Sequence, residues 1–89
     1  MVRVFVGRPG NYPAYLGFMR SSKEPVLVIG CKHSFSPEGG DLKGQLAGLP
    51  TLTVEVRFLE VDCEDFHTEG LALAQALEDP AAAFSRAAA

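Results

Sequence analysis

Basic residues are too few in this chain to make an extended positive surface: eight Lys plus Arg stand against eleven Asp plus Glu, a net charge of -3 over 89 residues. A protein that wraps duplex DNA by releasing counterions is therefore excluded, and any phosphate ligand has to be held by a local group of donors. Long apolar runs are also lacking. The longest, Pro25 to Cys31, falls far short of the roughly 20 residues that cross a bilayer, so no membrane association is expected. The Met-Val-Arg start has neither the basic segment nor the apolar stretch of roughly 7 to 15 residues that mark a secretory signal. Cysteine is confined to Cys31 and Cys63, and histidine to His33 and His67. These scarcities predict a cytoplasmic chain with reduced thiols rather than a disulfide-stapled secreted one. With 47% hydrophobic and 21% charged residues, wholesale disorder and collagen-like repeats are excluded too, and the length allows a single domain.

The residues that are present alternate between two periods. Val2, Val4 and Val6 recur every second residue and stop at Gly7, which predicts a first strand. The turn-forming cluster Gly7-Arg8-Pro9-Gly10-Asn11 follows, and Asn11 stands where it would cap a helix carrying Pro13 in its first turn and Tyr12, Tyr15, Leu16 and Met19 on one face. Pro25 to Gly30 is continuously apolar, as in a strand buried on both faces of a parallel sheet, and is expected at the centre. Ser36, Pro37 and Glu38 read as the start of a second helix running through Leu42, Leu46 and Leu49. Residues 51–58 alternate as a half-buried edge strand, with the parity slipping at Leu59 and Val61. Asp62 or Asp65 then caps a third helix with Phe66, Leu71, Leu73, Ala74 and Leu77 as its apolar stripe, up to Asp79-Pro80. A last alanine-rich turn or two runs through Phe84, and Ala87 to Ala89 are expected to fray.

This order predicts an α/β fold: a small Rossmann-like three-stranded parallel sheet (βαβαβα) with helices packed on it. A single domain spans 1–89, with 1–78 as its core and 79–89 as a short C-terminal helix or tail. Three strands cannot close their own edges, so completion of the sheet by dimerisation is expected.

Ligands of open parallel sheets bind beyond the carboxyl ends of the strands. Three segments qualify: residues 7–11, residues 31–36 and residues 62–65. Arg8 with the backbone of Gly10 and Asn11 suits a phosphate or nucleotide edge, and Lys32, His33 and Ser34 add donors from the second segment. Against this, glycine and proline after a strand are ordinary turn chemistry, and Gly7-x-x-Gly10 lacks the G-x-G-x-x-G spacing. Ser36 reads as an N-cap rather than a nucleophile. No cofactor is implied. A separate constellation, Cys31-x-His33 with Cys63-x3-His67, uses every Cys and His of the chain, and a tetrahedral zinc site built from these four residues is a geometric alternative, although knuckle spacing is absent.

The stretch Gly7-Arg8-Pro9-Gly10-Asn11-Tyr12-Pro13-Ala14-Tyr15-Leu16 resembles the Gly, Asn and Pro-rich strand-to-helix turn of CRISPR-associated Rossmann-fold (CARF) sensor domains, in a minimal or truncated form. The likeness continues through Val26 to Ser34 and through Val54 to Phe66. The resemblance implies a homodimeric antiviral-defence module that binds cyclic oligoadenylate, with Arg8, Gly10 and Asn11 cradling the ligand and Lys32, His33 and Ser34 contributing. Some members of the family also cleave the ring without a metal, and for that activity, in-line attack of a ribose 2′-hydroxyl, His33 is the candidate helper. A reading from a different class is a non-catalytic dimerisation or adaptor domain, in which Phe84, the alanine tail and an exposed strand edge contact a partner.

Overall fold

The computed structural model describes residues 1–8, 11–36, 44 and 54–88. Among them run β1 (Arg3–Val6), α1 (Tyr12–Ser21), β2 (Val26–Gly30), α2 (Lys32–Phe35), β3 (Val56–Glu60), α3 (Cys63–Thr68), α4 (Leu71–Glu78) and α5 (Pro80–Arg86). The strands form one parallel sheet in the order β1-β2-β3, with Arg3 opposite Val26 and Gly30 opposite Glu60. The α/β class, the parallel sheet and the central place of the apolar second strand are as the pattern predicts. All five residues of β2 are buried, because helices cover both faces of the sheet.

Strand pleating divides the core in two. Val26, Val28 and Phe58 pack with Tyr15 and Met19 of α1 on one face, joined by Phe5, Phe18 and Phe35. Leu27 and Ile29 point the other way, against Phe66, Leu73, Ala76 and Ala83 of α3, α4 and α5, with Val4, Val6 and Leu59 beside them. The aromatic face carries one unanswered polar atom. Among the described residues the Tyr15 hydroxyl is buried without a hydrogen-bond partner, and burial pushes its pKa up to about 12.

Several expectations need correction. The third strand runs Val56–Glu60 rather than 51–58, and residues 51–53 lie outside the described residues. Its parity slip at Leu59 and Val61 is the mark of two-sided burial, since both side chains pack on the face opposite Phe58. A one-turn helix also begins earlier than expected, at Lys32, and Ser36 closes it. The helix expected from Ser36 to Leu49 lies outside the described residues except at Gly44. Asn11 occupies the cap position of α1 but makes no side-chain cap bond.

The long third helix is in fact two. Asp62 accepts from the Glu64 N–H at 3.0 Å and starts α3, while Asp65 accepts from the Ala72 N–H at 3.2 Å and holds the start of α4. Between them Glu69 adopts φ 57°, and a Cβ on Gly70 would lie 2.5 Å from Asp65 Oδ1, so a side chain there would push the Asp65 carboxylate that holds the start of α4. The break rotates the stripe: Leu73 and Ala76 are buried, whereas Leu71 is 70% exposed and Leu77 and Ala74 also face solvent.

The tail does not fray through Ala88. Asp79 caps α5 through the Ala82 N–H at 3.2 Å, Ala83 is buried in the core, and Ala88 pairs antiparallel with Phe58. The Phe58 N–H donates to the Ala88 carbonyl at 2.7 Å, so the outer edge of β3 is partly covered by the chain itself. Arg57 fastens the same segment, donating to the Phe84 carbonyl at 3.0 Å with its guanidinium 4.6 Å from the Phe84 ring centroid.

Candidate functional site

Parallel strands deliver their carboxyl ends to one rim, where the three predicted segments meet. The seam between β1 and β2 is closed by hydrogen bonds. The Gly7 N–H donates to the Ile29 carbonyl at 2.7 Å, and the Gly7 carbonyl accepts from the Ser34 hydroxyl at 2.9 Å. Ser34 Oγ accepts in turn from the Cys31 N–H at 3.2 Å. Gly30 makes this approach feasible: a Cβ there would lie 2.6 Å from Ser34 Cβ and 3.1 Å from Phe35 Cζ.

The predicted ligand contacts divide sharply. Ser34 is 3% exposed and its hydroxyl is engaged inside the fold, so it ties α2 to the end of β1. Arg8 is half-buried and reaches across to α3, where Nη2 donates to the Phe66 carbonyl at 3.1 Å and the guanidinium stacks 4.6 Å from the Phe66 ring centroid. Its ion pair with Glu69 at 3.8 Å is largely solvated and adds little. Asn11, Lys32 and His33 are exposed on the rim. Gly10 lies outside the described residues.

The seam between β2 and β3 is different. A cavity of about 190 Å³ opens there, lined by Lys32, Glu60, Val61, Asp62 and Cys63. Two carboxylates beside one ammonium make it a poor phosphate pocket, so an anion held by Lys32 belongs on the β1 side of that residue. Another depression, of about 260 Å³, lies at the opposite end of the sheet beside Arg3, Phe18 and Glu24, away from the rim.

The structure brings the two cysteines together and leaves the two histidines apart from them. Cys31 is the N-cap of α2 and is buried, whereas Cys63 opens α3, packs against the same apolar cluster and borders the cavity. The two thiols are close enough for each to shift the other's ionisation. Burial tends to raise the Cys31 pKa, but donation to its sulfur from the His33 and Ser34 amides, the Cys63 thiol and the Ser34 hydroxyl outweighs it and holds Cys31 below the usual thiol range. Cys63 moves up, through partial burial and then through its hydrogen bond to Cys31 and the charge of that thiolate.

A zinc site from the four residues needs Cys31 and His33 on the same side of the chain, as they would be if the strand continued. It ends at Gly30, and the turn into α2 buries Cys31 while exposing His33. Among the described residues no group of three or more His, Cys, Asp or Glu side chains could hold a metal ion. Reading the residues in order missed the dithiol; its signal was a cysteine just beyond each of two neighbouring strand ends.

Fold and rim together define a small α/β domain with a parallel three-stranded sheet. No family model, curated protein or solved structure matches the chain. Among the described residues, no helix is long and apolar enough to cross a membrane.

Proposed function

We propose that the chain is a nucleotide-binding module whose ligand, favoured as a cyclic oligoadenylate, sits on the carboxyl rim of the sheet in a homodimer. The observation that carries this reading is the presence on one rim of three exposed polar side chains, Asn11, Lys32 and His33, at the starts of α1 and α2, none of them with a side-chain partner among the described residues. The contact set is these three, with Gly10 added on the sequence resemblance alone, while Arg8 and Ser34 shape the rim from within. The ligand class, a cytoplasmic setting and a role in CRISPR-associated defence rest on the sequence resemblance alone. Ring cleavage would proceed by in-line attack of a ribose 2′-hydroxyl, with His33 as the exposed base. In that case His33→Ala, which also loses one ligand contact, leaves whatever ligand it binds at saturating concentration intact.

A second copy is best accommodated at the outer edge of β1, which pairs with no strand among the described residues, whereas Ala88 covers part of the outer edge of β3. The adaptor reading loses the tail-bearing edge for the same reason. A thermal-shift titration against cyclic tri-, tetra- and hexa-adenylate, with linear oligomers as controls, tests the proposal, because a ligand specific to the folded state raises its melting temperature by mass action. A saturable rise with one ring is expected. No rise with any ring, in folded protein, overturns the nucleotide reading in favour of the adaptor.

A further inference from the structure

The geometry points to a redox site that is independent of nucleotide binding: Cys31 and Cys63 form a dithiol that closes to an intramolecular disulfide by exchange with a small-molecule disulfide entering the cavity beside Lys32. Three observations meet at this point. The cysteines leave adjacent strands at the same rim, since Gly30 and Glu60 are paired and the Val61 N–H donates to the Gly30 carbonyl at 2.8 Å. Cys63 packs against the apolar cluster that contains Cys31, each thiol shifts the other's ionisation, and neither is engaged in a disulfide. One of the two borders a cavity while the other is 1% exposed, which divides the labour between them.

Access sets the order of events. Cys63 meets the incoming disulfide RSSR first; its sulfur attacks one sulfur of RSSR, forming Cys63–S–SR and releasing RS⁻, which takes the Cys63 proton and leaves as RSH. The Cys31 sulfur then attacks the Cys63 sulfur and breaks the bond to SR. The second RS⁻ leaves as RSH with the Cys31 proton. Two thiols are oxidised to one disulfide and one RSSR is reduced to two RSH. The amides of His33 and Ser34 directed at Cys31 favour its thiolate and so the second step. Lys32 beside Cys63 favours ionisation of the entering thiol, opposed by Glu60 and Asp62 on the same cavity wall.

The reduced protein, freed of reductant without air, is mixed with oxidised glutathione and followed by non-reducing intact mass and free-thiol counting. The expected product is a monomer that has lost two hydrogen atoms and both thiols, formed at a rate independent of protein concentration. Cys31→Ser should stop at a stable glutathione adduct on Cys63, and Cys63→Ser should leave Cys31 unmodified. Because a serine in the core at position 31 can itself perturb folding, the wild-type exchange is repeated in urea. The folded chain should favour closure at least tenfold over the unfolded one. Two persistent thiols, a stalled adduct in the wild type, chain-to-chain disulfides only, or equal closure in urea would each overturn the assignment.

Discussion

Where β1 and β2 end, Arg8 and Ser34 turn into the fold, whereas where β2 and β3 end polar side chains surround an open cavity. At the first seam the Ser34 hydroxyl bridges the Gly7 carbonyl and the Cys31 N–H, and Arg8 is held over Phe66. At the second, Lys32, Glu60 and Asp62 face solvent beside Cys63. The difference teaches that residue type does not assign role at a strand end. An arginine and a serine in ligand-like positions become structural once a neighbour supplies their partners, and the lysine without such a partner keeps its donors for something else.

The closed seam should therefore be fragile and the open one tolerant. Gly30→Ala has the largest expected effect, a loss of about 3 kcal/mol in denaturant unfolding, because the new methyl overlaps Ser34 Cβ and Phe35. Ser34→Ala should lose about 2 kcal/mol, since it strands a buried carbonyl and an N–H together. Arg8→Ala should lose about 1 to 2 kcal/mol, from one charged hydrogen bond and a ring contact on a half-buried side chain. Lys32→Ala should move stability by no more than about 0.5 kcal/mol. If Lys32→Ala instead proved as costly as Ser34→Ala, the distinction between the seams would fail.

A control away from both seams comes from Tyr15. Its pKa is raised to about 12 in the folded state, so the fold holds that proton more tightly than the unfolded chain does. The associated stability is complete below pH 10 and is lost as pH rises from 10 toward 12. Unfolding measured across that window should show the wild type losing roughly 2 kcal/mol more than Tyr15→Phe. At neutral pH the same variant should be no less stable than the wild type, since the hydroxyl has no partner to lose.

Much of the architecture was legible because it rests on local periodicity. The unbroken run Val26-Leu27-Val28-Ile29 announces two-sided burial, and the parity slip at Leu59 carries the same message on β3. The break at Glu69-Gly70 was harder to see, because the apolar residues on either side still match a helical stripe when read straight through. Pairing of Ala88 with Phe58 has no local signal at all. For the site, its place at the strand ends followed from topology, but the roles there did not. Whether Arg8 faces solvent is decided by Phe66, 58 positions away, and the meeting of Cys31 with Cys63 depends on the parallel register of β2 and β3.

The most direct test compares the affinity of Lys32→Ala and Arg8→Ala for whichever cyclic adenylate stabilises the wild type. The expected result is that Lys32→Ala weakens binding about tenfold at unchanged melting temperature, as loss of a charged donor implies. Arg8→Ala should lower the melting temperature and leave the affinity of the folded protein within about threefold. A large loss of affinity in Arg8→Ala, with Lys32→Ala binding like the wild type, would contradict the assignment of the ligand to the unengaged side chains of the rim.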